Sequence, residues 1–131
     1  MPGTSSSNHI LSRLTRAEFA LLGPHLEPVD LPVRKRLAAP NKRIQHVYFL
    51  ESGIASVVAN GESNIEVGII GREGMTGASL VMGSEERPPH ETYMQIAGAG
   101  QSLSAARLTA AIDASVTLHR CIYKEAQDLR V

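Results

Sequence analysis

Tryptophan is absent from this 131-residue chain, and Phe and Tyr together make up only 4% of it. An extended aromatic platform for stacking on single-stranded nucleic acid is therefore excluded, and a core has to be built from Leu, Ile, Val, Ala and Met. Cysteine is also scarce: Cys121 stands alone, so there can be no internal disulfide. Nor does one sign of charge dominate. Thirteen Lys and Arg balance 13 Asp and Glu, which removes the simple electrostatic case for binding DNA or an anionic membrane. No apolar run is long enough to span a bilayer, and none of signal length follows Met1, so the expectation is a cytoplasmic protein without a membrane partner.

Chemical motifs are missing as well. The histidines, His9, His25, His46, His90 and His119, are scattered, with no H-x-H, H-E-x-x-H or Cys/His cluster to start a metal site, so neither a metal nor another cofactor is expected. Ser79 in "GASLV" lacks the flanking glycines of a nucleophile elbow, and Cys121 falls on an apolar helical stripe, where a buried thiol is inert. Glu73 and Glu91 could face each other across a pocket mouth, or could be two solvated loop carboxylates. The run Arg34-Lys35-Arg36, with Lys42-Arg43 nearby, reads as a solvated loop face. The expectation is that the chain is not an enzyme.

What is present is a single domain's worth of patterned sequence. Met1 to Ser7 are small and polar and read as a loose, disordered terminus ahead of a domain from Asn8 to Val131. Thr15 with Glu18 forms a capping box before Phe19, Leu21 and Leu22, and Gly23-Pro24 ends that helix. From Leu26, Pro28, Pro32 and Pro40 punctuate short apolar segments, which argues for strands joined by turns. "HVYFLESGIASVV" divides at Glu51-Ser52-Gly53. Asn60-Gly61 is a hairpin dipeptide before the alternating Ile65, Val67 and Ile69.

After an Arg87-Pro88-Pro89-His90 loop, "ETYMQIAG" reads as a strand closed by Gly98 and Gly100, with another from Gln101 to Ser104. Consecutive short antiparallel strands point to a roll or barrel. "SAARLTAAID" is helical, Asp113-Ala114-Ser115 is a break, and a second helix follows from Val116. On it Leu118, Cys121, Ile122, Ala126 and Leu129 form one apolar stripe, which either covers the roll or pairs with a second copy across a two-fold.

The stretch "IIGREGMTGASLVMG" sets Gly71, Gly74, Gly77 and Gly83 beside an apolar turn. Its spacing is neither that of a Walker loop nor G-x-G-x-x-G, so by itself it argues weakly for a nucleotide. Together with "HVYFLESGIASVV", "ETYMQIAG" and the C-terminal helices, it resembles the N-terminal sensor domain of the Crp/Fnr family of bacterial transcription regulators. The most specific parts are Val47-Tyr48-Phe49 with Gly53, and Gly71-Arg72-Glu73-Gly74 with Gly77.

The resemblance implies a mainly β fold, a jelly roll of the cyclic nucleotide-binding type flanked by helices. In it 116–131 would be the start of a dimerisation helix carrying Leu118, Cys121, Ile122, Ala126 and Leu129, with no helix-turn-helix domain present. It also places a degenerate phosphate cassette at Gly71, Gly77, Ala78, Ser79, Arg87, His90, Glu91 and Thr92. Gly77 takes the family's glycine position and Ala78 stands where a ribose-holding Glu would be. Pro89 to Thr92 covers the region of the phosphate-pairing Arg, with Arg87 the nearest guanidinium. An inward-pointing Glu91 would repel a phosphate.

A buried cyclic phosphate wants an Arg partner and its ribose a carboxylate, so cyclic AMP and cyclic GMP are not expected to bind tightly. One cysteine cannot hold the iron–sulfur cluster of the family's redox branch. The expected function is that of a regulatory sensor and dimerisation domain, a homodimer or a heterodimer with a full-length relative, open to an unknown small-molecule effector and unable to bind DNA alone. The alternatives are a stand-alone small-molecule-binding roll and, disfavoured by the missing ligand motif, a cupin-like enzyme.

Overall fold

The computed structural model describes residues 7–59, 65–83 and 90–127. The Asn60-Gly61 turn, Arg87, Leu129 and residues 1–6 of the terminus lie outside them. The order of elements is α1 (His9–Ser12), α2 (Arg16–Leu22), a 3-10 turn (Gly23–His25), β1 (Glu27–Leu31), β2 (Arg36–Ala38), β3 (His46–Leu50), β4 (Ile54–Ala59) and β5 (Ile65–Ile70). There follow α3 (Ala78–Val81), β6 (His90–Ile96), β7 (Gly98–Ser104), α4 (Ala105–Ala114) and α5 (Val116–Gln127).

The strands form a three-stranded sheet, β1-β7-β3, and a four-stranded sheet, β2-β6-β4-β5, antiparallel throughout. Pro28 is tolerated because β1 is an edge strand, where a missing N–H breaks no ladder on its open side. The strand β6 ends at Ile96, just before Gly98, but the glycines do not separate it from a strand at Gln101: Gly98 opens β7 and Gly100 lies within it. They are needed for close approach: a Cβ on Gly100 would stand 2.5 Å from the Phe49 carbonyl oxygen, and one on Gly98 would overlap the Ser52 carbonyl.

Alternation along β3 divides the interior in two. Val47 and Phe49 face the helices, while Leu50, with Tyr48 beside it, faces the other sheet. Between the sheets lie Leu31, Leu37, Leu50, Ala55, Val57, Ile70 and Met94. On the helix side Val47, Phe49 and Leu103 meet Ile10, Leu11, Leu22, Val81, Leu108, Ile112, Leu118 and Ile122, so all five helices contribute.

The helix ends are fixed locally. The Thr15 side chain accepts from the Glu18 amide at 3.1 Å and the Glu18 carboxylate accepts from the Thr15 amide at 2.9 Å, which is the expected capping box. Ser104 caps α4 by accepting from the Arg107 amide at 3.2 Å, and the Ser115 hydroxyl accepts from the Leu118 amide at 3.1 Å, dividing α4 from α5.

Candidate ligand site

The cassette begins where β5 ends. A turn closes from the Gly74 amide to the Gly71 carbonyl at 3.0 Å, and the Glu73 carboxylate folds back to accept from the Gly71 amide at 3.1 Å. The next residues run alongside β3: the Thr76 amide donates to the Tyr48 carbonyl at 2.9 Å, and the Tyr48 amide donates to the Thr76 hydroxyl at 3.0 Å. Met75, buried, bridges Phe49. Gly77 then turns the chain into α3 with φ 73°, a left-handed conformation, and a Cβ there would lie 2.7 Å from Val47 Cγ1.

Asn8 holds this turn from outside, and nothing in the spacing of the sequence points to it. Its side chain is fully buried, donates to the carbonyls of Leu50 at 2.6 Å and Gly74 at 2.8 Å, and accepts from the Leu11 amide at 3.2 Å. One amide thereby caps α1, ends β3 and fixes the cassette turn. The neighbouring His9 amide donates to the Arg72 carbonyl at 2.7 Å. At the far end of the cassette, His119 Nε2 on α5 lies 2.8 Å from the Val81 carbonyl, in the geometry of an N–H donating to the C-terminus of α3. The same ring meets Tyr123 edge to face.

The residues expected to line a pocket divide among several places. Gly71 is buried in the turn, and Ala78 is half-buried and packed, with Leu80, against the helix-side core. Ser79 is half-buried in α3. Thr92 is buried opposite Val57, on the face of β6 that looks into the roll. His90, half-buried, opens β6 opposite Ala59.

Glu91 does not point inward. It follows His90 on the face opposite to Thr92, and its carboxylate accepts from Arg36 Nε at 2.9 Å, so repulsion of a ligand in the roll by Glu91 is removed. Arg36 is accordingly part of an ion pair and not merely solvated. Glu73 and Glu91 take separate partners and do not form a carboxylate pair.

The stripe on α5 also differs from a free pairing surface. Leu118 and Ile122 are fully buried and Ala126 is 4% exposed, the first two within the helix-side core of the same chain. Cys121 is partly buried against that core, and burial, followed by the charges of Glu18 and Glu125, pushes its thiol pKa up, which keeps it protonated and unreactive. The exposed apolar residues of α5 are instead Val116 and Tyr123, seven apart and on one outward face. Among the described residues no group of three or more His, Cys, Asp or Glu converges as a metal site, and no helix is long and apolar enough to cross a membrane.

Compared by sequence, the chain matches no protein-family model and no curated protein. Solved structures do resemble it. A putative cyclic nucleotide-binding protein from Geobacter metallireducens superposes with a TM-score of 0.77 at 11% identity, over 93% of this chain and 89% of that one. The sensor domain of the transcriptional regulator DNR from Pseudomonas aeruginosa gives 0.72 at 10% identity, over 91% and 81%. The C-linker and cyclic nucleotide-binding homology domain of zELK channels, crystallised in the presence of cAMP, gives 0.70 at 16% identity; the match covers 92% of this chain and 60% of that one. With two antiparallel sheets, the glycine turn between β5 and α3, and helices closing one side, the chain has the fold of the cyclic nucleotide-binding domain.

Proposed function

We propose that this chain is a regulatory sensor domain of the Crp/Fnr type whose roll does not hold cyclic AMP or cyclic GMP tightly, and that it is not an enzyme. The observation that carries this reading is Ala78. At the head of α3, where the resemblance calls for a carboxylate on the ribose, a methyl group packs into the helix-side core. A cyclic nucleotide there would leave its one free ribose hydroxyl unpaired, at about 1–3 kcal/mol. Gly77, just before Ala78, is accounted for by the turn itself.

As a sensor module the domain acts in a dimer, as a homodimer or with a relative that carries a DNA-binding domain. The pairing surface is the outward face of α5 with Val116 and Tyr123, since Leu118 and Ile122 are used inside the chain. Calorimetry with cyclic AMP and cyclic GMP tests the ligand half of this reading: no low-micromolar binding is expected, and a low-micromolar Kd for either would overturn it. Sedimentation tests the pairing half. A dimer that dissociates on Tyr123→Glu is expected, and a monomer at micromolar concentration, in the absence and presence of a relative with a DNA-binding domain, contradicts it.

A further inference from the structure

Adjoining the pairing face of α5, with Arg120 at its border, a groove of about 490 Å³ runs between α1 and α5, lined by Ser12, Arg13, Thr117, Arg120, Cys121, Lys124 and Glu125. From this groove we infer a second site, for a small phosphorylated anion, which does not depend on the function proposed above. The α5 residues stand at i, i+3, i+4 and i+7, so Thr117, Arg120, Cys121 and Lys124 form one continuous wall. Arg13 faces them from the end of α1.

Charge selects the occupant. Three cations line the groove against one carboxylate, and that carboxylate is already engaged: Glu125 lies 3.2 Å from His9 Nε2 and 3.7 Å from Arg13 Nε. Arg120 and Lys124 are exposed and have no hydrogen-bond or ion-pair partner among the described residues. Arg13, Arg120 and Lys124 still outnumber Glu125 and Glu18, whose carboxylate reaches Thr117 and Cys121, so the groove keeps a net positive charge that suits a phosphate. Glu125, only 11% exposed, meets Arg13 through its Nε, and a guanidinium can pair two phosphate oxygens at once. The groove is larger than a bare phosphate and leaves room for a small organic body attached to it.

The site would report to the cassette from both walls. His9, beside Glu125 on the α1 wall, donates its amide to Arg72 in the glycine turn, and His119 on α5 lies against Val81 at the end of α3. An anion joining α1 to α5 therefore ties together the two elements that hold the cassette.

The test is an amide-resolved NMR titration of the full 131-residue chain with pyrophosphate, inorganic phosphate and citrate at constant ionic strength. Saturable shifts centred on Ser12, Arg13 and Thr117 to Glu125, with weaker ones reaching His9, Arg72 and Val81, are expected with pyrophosphate, and smaller ones throughout for phosphate. Arg120→Gln with Lys124→Gln is expected to weaken pyrophosphate at least about tenfold, the loss of one or more charge-assisted contacts, without lowering the melting temperature of the free protein. The inference is overturned by non-saturable shifts, by equal response at Arg34, Lys35 and Arg43, or by binding that survives the double substitution. Citrate binding as tightly as pyrophosphate would overturn the assignment to phosphate.

Discussion

On the helix side of the β1-β7-β3 sheet, Val47, Phe49 and Leu103 are covered by residues from all five helices, and Met75 and Val81 of the cassette are buried among them. On the roll side the same sheet meets a smaller set of strand residues, Leu37, Ala55, Val57, Ile70 and Met94. The cassette changes side between these two cores. Ile70 belongs to the roll, Met75 to the helix side, and the chain crosses from one to the other through Gly71 to Gly74. Glycine-rich sequence that could have cradled a ligand is thus a crossing between two packed regions. The region a ligand would enter in this fold is the thinner of the two.

The largest way to break this contrast is a matched truncation. Leu118 and Leu50 are both fully buried, one in each core. Leu118→Ala is expected near the upper end of about 2–5 kcal/mol, because helices locked from several directions cannot close the cavity, and Leu50→Ala near the lower end. Urea melts of the two variants check this, and equal losses would erase the distinction. Next is Asn8→Ala, which leaves the Leu50 and Gly74 carbonyls and the Leu11 amide without their partner and should cost about 3 kcal/mol. A loss below about 0.5 kcal/mol, the level of an ordinary surface substitution, would mean that the turn does not need its fastening.

Gly77→Ala probes the crossing's far end. The left-handed backbone and the 2.7 Å approach to Val47 Cγ1 predict a loss of about 2 kcal/mol, read by the same melts. The smallest effect concerns acid. The hydrogen bond from the Thr15 amide holds Glu18 below its ordinary value of 4.5, against the opposing pull of burial. A depressed carboxylate stabilises the fold above that ordinary value and loses its contribution as pH falls through the lower folded value. In urea melts across pH, Glu18→Gln should therefore lower stability at neutral pH, where the ionised carboxylate contributes, flatten the acid limb and leave the acid end of the profile little changed.

Much of the frame was readable from residue order. The Thr15 and Glu18 cap, the break at Glu51 to Gly53, the alternation in β3 and the separation of α4 from α5 at Ser115 each depend on neighbours a few positions apart, and such local rules act without knowledge of the fold. What stayed hidden was set by distant partners. Asn8 looks like a terminal polar residue until Gly74, 66 positions away, is brought against it. Glu91 could face either side of β6 until the register with β2 places Arg36 beside it. The α5 stripe is apolar in any reading, and only the packing of α1, α3 and α4 against that helix decides that its own chain fills it. For Gly98 and Gly100 the residue type was informative but its reason was not, because a close approach and a turn both require glycine.

The protein itself fastens the cassette, through Asn8, β3 and His119. Hydrogen exchange of the amides from Gly71 to Met82, measured with and without cyclic AMP, tests it most directly. Gly74, Thr76, Leu80 and Met82, whose amides donate within the fold, are expected to be protected in the free protein, with no change on adding cyclic AMP. Amides that exchange freely until cyclic AMP slows them would contradict it.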